Sequence, residues 1–196
     1  MNRYALQRAA FAAVLILVSG AAVAHPGADG GAHHGLPGGF AHPFTGFDHL
    51  IAILAIGFWS ASLGRRGWQA AAAFPFAMLA GALLAVGGFA IPGIEPMIAA
   101  SLLVVGLLTA MRTPIAEPAA ACLVGVFALF HGAAHGQELA GDTAALLGML
   151  AATAILLALG AAFGWGVRTR GAWWPRVTGA AVTLVGAALL VPLLAR

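Results

Sequence analysis

Two short segments of the chain hold residues able to grip a metal ion. The first, His42-Pro43-Phe44-Thr45-Gly46-Phe47-Asp48-His49, sets two imidazoles seven residues apart with a carboxylate beside the second. On a helix, seven residues return a side chain to nearly the same face. The second, Phe130-His131-Gly132-Ala133-Ala134-His135-Gly136-Gln137-Glu138, places imidazoles at i and i+4, one above the other. Its carboxylate lies about one turn further on. Imidazole and carboxylate without sulfur suit borderline divalent ions, Ni²⁺, Co²⁺, Zn²⁺ or Cu²⁺, and argue against Cu⁺. Met78, Met97, Met111 and Met149 form no repeated ladder that would hold Cu⁺. The single cysteine, Cys122, excludes an internal disulfide, a thiolate-rich zinc site and an iron–sulfur cluster.

The elements that must position these residues are membrane helices. Of 196 residues, 62% are hydrophobic and only 8% charged, against about 25% charged in a soluble domain. Six apolar segments, near 44–63, 70–91, 95–111, 115–136, 143–166 and 173–194, are each long enough to cross the hydrocarbon as a helix. The fold expected is all-α, a polytopic six-helix bundle spanning residues 42–196. Glycines such as Gly81, Gly106, Gly125, Gly160, Gly164 and Gly186 would let its helices approach closely. Ahead of it, residues 25–41 are polar and Gly-rich, as expected of a flexible arm.

Residues 1–24 read as a cleavable signal peptide. Arg3 and Arg8 form the basic region, Ala9 to Gly20 the apolar one, and Ala22-Val23-Ala24 the cleavage site. The mature chain would begin at His25 in the periplasm. Independently, Arg65, Arg66, Arg112, Arg168, Arg170 and Arg176 gather at one set of helix ends, the positive-inside pattern of cytoplasmic loops. Trp68, Trp173 and Trp174 mark the same interface. Both signals predict a bacterial inner-membrane protein with a periplasmic N-terminus. The nine basic residues are all arginine and scattered between apolar segments, so the net charge of +3 is no nucleic-acid footprint. The partners expected are a divalent ion and membrane lipid, and a homo-oligomer is left open.

In this topology both histidine motifs reach the periplasmic face, although about 80 residues separate them. An inverted repeat would have put them on opposite faces, so none is inferred. The candidate set is His42, Asp48, His49, His131, His135 and Glu138. A lone membrane histidine often just hydrogen-bonds a neighbouring helix; two pairs at one interface exceed that role. Glu95, at the start of the third span, is a further candidate, with a dipole-favoured carboxylate as the alternative. His25 would gain a free amine on cleavage and so a potential chelate. Glu117 shares one stripe of the fourth span with Ala121, Val124, Ala128, His131 and His135, roughly 27 Å from end to end. That stripe is a candidate ion path, with a helix-start carboxylate before Pro118 as the alternative reading of Glu117. Asp142 reads as an N-cap, and His33 and His34 as at most weak collectors of metal.

The quoted residues resemble the HupE/UreJ family of nickel/cobalt permeases over essentially the whole mature chain. The family patterns HPxxGxDH and FHGxAHGxE are met at His42-Pro43, Gly46 and Asp48-His49, and at Phe130-His131-Gly132, Ala134-His135-Gly136 and Glu138. The resemblance implies a transporter without a cofactor, with Ni²⁺ or Co²⁺ as cargo and a link to hydrogenase or urease maturation. No nucleotide motif is present, so uptake would be driven by the membrane potential or protons. Two other readings fit the residues: a zinc-dependent intramembrane hydrolase with Glu138 as base, and a b-type haem protein.

Overall fold

Apolar segments of this length pair every backbone group internally only as helices, and among the described residues there are seven helices and no strand. The structure, a computed structural model, describes residues 35–64, 67–139, 142–168, 170–171 and 173–195. The expected signal peptide, His25, His33, His34, Arg65 and Arg66 lie outside them. The helices are α1 (Gly35–Thr45), α2 (Phe47–Ser62), α3 (Trp68–Val86), α4 (Ile94–Met111), α5 (Glu117–Glu138), α6 (Thr143–Val167) and α7 (Trp173–Leu194). The five from α3 to α7 are each long and apolar enough to cross a membrane. With α1 and α2 taken as one broken span, the count is six. The protein is an all-α, multi-pass membrane protein.

The first span departs from the continuous helix expected over 44–63. It bends by 82° at Gly46, and the residues before the bend belong to α1. Pro37 supplies a fixed φ in the first turn of α1. Pro43, expected to start a helix, instead sits in the last turn of α1, where its missing N–H weakens the ladder. The Thr45 hydroxyl donates to the His42 carbonyl at 2.8 Å, and Gly46 is extended at φ −85°, ψ 106°. A new helix then starts with Leu50 N–H donating to the Gly46 carbonyl at 2.9 Å. Residues 35–41 of the expected flexible arm are therefore helical, and α1 lies across the start of α6.

Asp142 anchors that crossing. As expected it caps α6, accepting from Ala145 N–H at 2.9 Å, and its second oxygen accepts from Gly35 N–H at 2.7 Å, at the first residue of α1. One carboxylate thus serves the N-termini of two helices.

Glycine seams join the bundle, because lipid offers no hydrophobic drive for helices to associate and close backbone contact must replace it. On α3 and α5, the most extensive pair, a Cβ at Gly81 would overlap the Leu129 carbonyl and one at Gly132 the Met78 carbonyl. On α2 and α6, Gly57 faces the Leu157 carbonyl and Gly160 the Leu54 carbonyl. Between α4 and α7, Gly106 lies against Thr183 and Gly186 against Leu103. Gly125 differs: a Cβ there would meet only Ala77 Cβ at 3.9 Å, an ordinary contact.

Candidate metal site

The end of the bundle where α1 meets α2 also holds the end of α5. The broken span gives each of its two histidines a different carrier. His42 rides on the last turn of α1 and His49 on the first turn of α2. They do not share one helix face as the seven-residue spacing predicts; the 82° bend brings them together from two directions instead. His131, His135 and Glu138 descend from the last two turns of α5. Gly132 and Gly136 press that stretch of α5 against the Met78 and Ala82 backbone of α3. Successive residues of a helix are about 100° apart, so with the glycines on α3 the histidines turn to α2 and α1.

Three donors meet at the outer edge. His42 Nε2 lies 2.9 Å from Glu138 Oε2 and 3.0 Å from His135 Nδ1, and His135 Nδ1 lies 3.5 Å from the same oxygen. An ion bound at about 2.1 Å sets its ligands about 3.0 Å apart at right angles and about 3.4 Å apart at tetrahedral angles. The triangle already has those edges. The Glu138 side chain opens to solvent at 54% exposure, whereas His135 is buried.

Beneath it the rings pack at tilted and edge-to-face angles. His49 is 4.6 Å from His135 and 5.2 Å from His131 between ring centroids, and Phe74 closes on His131 at 5.6 Å. Two tautomers are fixed by acceptors that cannot donate. His49 Nδ1–H donates to Asp48 Oδ1 at 3.0 Å, and His131 Nδ1–H to the Phe127 carbonyl at 2.9 Å. Asp48 Oδ1 also accepts from the His49 backbone N–H at 2.9 Å, and its place in the first turn of α2 suits an anion. The Nε2 atoms of His49, His131 and His135 are buried with no hydrogen-bond partner. The buried hydroxyls differ: Ser60, Ser101 and Thr109 each donate to a carbonyl of their own helix. A buried polar atom left without a partner in a folded protein calls for a reason, and here such atoms sit on imidazoles.

The other candidates lie apart. Glu95 is exposed in the first turn of α4, and among the described residues no hydrogen bond or ion pair joins it to the histidines. Glu117 opens α5 at the far end of the bundle. Along the stripe between, Val124 and Ala128 are fully buried in the apolar core. Cys122 faces outward from α5. Sequence reasoning missed Phe74, one apolar aromatic among many, and the tie from Asp142 to α1. Pro37 was the one local signal that a helix begins near Gly35.

Comparison with known proteins gives two matches. The family model described as HupE / UreJ protein covers residues 13–189. Protein HupE of Rhizobium leguminosarum bv. viciae is 44% identical over 160 residues, which span 78% of this chain and 83% of that protein. No solved structure matches the chain significantly. The chain belongs to the HupE/UreJ family.

Proposed function

From that membership and the geometry of the histidine cluster, we propose that the protein is a permease carrying a divalent transition-metal ion, Ni²⁺ or Co²⁺, into the cell across the inner membrane. The observation that carries this reading is the triangle of His42 Nε2, His135 Nδ1 and Glu138 Oε2, whose edges of 2.9, 3.0 and 3.5 Å suit a single ion. Its donors are two imidazoles and one carboxylate, chemistry that favours borderline metals over Mg²⁺ or Ca²⁺. Glu138 meets the hydrated ion first, and the imidazoles replace its water.

Orientation follows from charge. Arg112, Arg168 and Arg170 stand at the opposite end of the bundle from the cluster, so the positive-inside rule makes the cluster end periplasmic. An inside-negative potential then favours inward movement of a dication by about 4.6 kcal/mol per 100 mV, twice the single-charge value. Onward passage follows the α5 stripe from His131 toward Glu117, which must part where Val124 and Ala128 are packed. The client is a nickel enzyme such as hydrogenase or urease. The hydrolase reading gains nothing from the comparisons, and its candidate base, Glu138, is engaged by His42 at 2.9 Å.

The test is accumulation of Ni²⁺, Co²⁺, Zn²⁺ and Cu²⁺ in cells lacking their own uptake systems, with wild type and His135→Ala at matched membrane abundance. Gain for Ni²⁺ or Co²⁺ that disappears in the variant is the expected result. No gain for any of the four metals by correctly inserted protein would overturn the reading.

A further inference from the structure

We infer that the cluster is two ion stations in series, an outer one of His42, His135 Nδ1 and Glu138 and an inner one of His49, His131 and His135 Nε2, with His135 handing the ion from the first to the second. This rests on the permease reading above. The outer triangle uses one ring nitrogen of His135 and leaves the other, Nε2, buried without a partner. The unused nitrogens of His49 and His131 are in the same condition, and His131 and His135 are 0% and 1% exposed. Acceptors hold the Nδ1–H of both His49 and His131, so each neutral ring has its lone pair on Nε2, the form a metal needs. His49 and His131 bring two idle lone pairs and His135 its unused Nε2, on rings packed against one another, with His131 one helical turn (about 6 Å) deeper on α5 than His135.

The donors of the outer triangle all lie within 4.8 Å of one another, whereas among the described residues His49, His131 and His135 do not yet form such a set. The inner station therefore forms when an arriving ion draws them in. Because a neutral imidazole has one lone pair, His135 binds through Nδ1 or Nε2 but not both: as the ion passes inward Nε2 gives up its proton and Nδ1 takes one up from the Glu138 side, so the stations are filled in turn and the chain holds one ion at a time. They also differ in chemistry. The outer station has a carboxylate and borders solvent; the inner one is imidazole alone. Oxygen-seeking ions such as Mn²⁺ or Mg²⁺ can be held outside but gain little by advancing, whereas Ni²⁺ and Co²⁺ gain imidazole ligands. Selection is made at the second step. Asp48 is a positioning residue here: it fixes the His49 tautomer without touching the ion.

The experiment uses full-length protein in lipid nanodiscs titrated with Co²⁺. Stoichiometry, the visible spectrum and X-ray absorption are read alongside Ni²⁺ uptake in cells. Wild type should bind one Co²⁺ per chain in an imidazole-rich shell. His131→Ala should still bind one Co²⁺, but with nitrogen replaced by oxygen in the shell, and with affinity and uptake each lower by about tenfold or more. His131→Gln serves as the less disruptive variant if the alanine is not monodisperse. Glu138→Gln should keep the imidazole-rich shell while metal binds at least about tenfold more slowly. Asp48→Asn, which can turn its amide N–H toward His49, should weaken the inner shell by about 10- to 100-fold and leave outer binding in place. Two stations are overturned if folded His131 variants keep the wild-type shell and uptake, or if His131→Ala and Glu138→Gln each abolish binding, as one shared site demands. Those outcomes leave the permease reading standing. Wild type that neither binds Co²⁺ nor takes up Ni²⁺ overturns both.

Discussion

Gly136→Ala adds a single methyl group at the seam between α3 and α5 and changes no ligand. That methyl carbon would lie 2.8 Å from Ala82 Cα and 2.9 Å from Ala85 Cβ, and closer still to the Ala82 carbonyl. Carbon atoms rest about 3.5–4.0 Å apart, so the helices must separate locally by roughly 1 Å. Overpacking of this kind costs about 1–3 kcal/mol. The larger effect falls on the site, because His135 precedes Gly136 directly and Glu138 follows two residues later. A metal site tolerates errors of about 0.2 Å in its ligand distances, several times less than the displacement. Metal affinity and Ni²⁺ uptake should therefore drop by about tenfold or more, comparable to losing a supporting contact of a ligand. Gly125→Ala on the same helix is the control. Its methyl would meet only Ala77 Cβ at 3.9 Å, and alanine gains up to about 1 kcal/mol of helix propensity over glycine. That variant should melt at or above the wild-type temperature and transport normally. Melting followed by tryptophan fluorescence, together with uptake at matched abundance, reads both. If Gly136→Ala matched Gly125→Ala in stability and uptake, the argument that the glycine seam positions the histidines would be refuted.

Two further substitutions test what holds the site and what lies outside it. Asp142→Ala removes the N-cap of α6 and the acceptor for Gly35 N–H. It should lower stability by about 1 kcal/mol and weaken metal binding, because His42 rides on the freed α1; a loss of stability with unchanged Co²⁺ affinity would show that α1 holds His42 without it. Glu95→Gln should leave Ni²⁺ uptake within about twofold of wild type, since Glu95 is exposed and among the described residues no hydrogen bond or ion pair joins it to the histidines; a tenfold loss (about 1.4 kcal/mol) would return it to the ion's route.

Much of the fold was legible because the bilayer leaves few choices. An apolar run of span length must be a helix, and five of the expected segments match α3 to α7 within a few residues at either end. The first span was misread as continuous because residues 44–63 are mostly apolar despite Asp48 and His49, and nothing in side-chain character marks Gly46 as the bend. What breaks the helix is backbone chemistry: the N–H absent at Pro43 and the extended conformation at Gly46. The helix of residues 35–41 was hidden for the opposite reason. Its Gly-rich composition has poor intrinsic propensity, and its order comes from tertiary partners: Asp142 at Gly35, Gly148 against Leu36 and Gly39 against Ala145. Glycine was legible as a class but not by position. Gly125 and Gly132 look alike in sequence, and only the path of α3 separates a free surface from a backbone contact.

The two motifs differ in which part of their pattern the helical period explains. In the α5 motif, His131 and Gly132, then His135 and Gly136, repeat an imidazole and a residue without a side chain at the same offset. Residues one apart differ by about 100° around the axis and residues four apart nearly coincide. The repeat therefore draws two parallel stripes, one of imidazoles and one without side chains. The second stripe lets α3 come into backbone contact, and that contact fixes the direction of the first. In the α1–α2 motif the period explains nothing, because the helix stops between its histidines. There the non-ligand residues act at single points: Pro43 ends a helix, Gly46 turns the chain, and Asp48 sets the His49 tautomer. Gly46 also leaves room for that tautomer, since a Cβ there would come within 3.2 Å of His49 Nδ1 and 3.5 Å of Asp48 Oδ1. One half of the site is thus rigid because it is built on a seam between spans. The other half is carried across a break, where a change of backbone angle at Gly46 moves His42 relative to His49. The permease proposed here would use such a pairing, with one set of donors held fixed and one carried on a hinge.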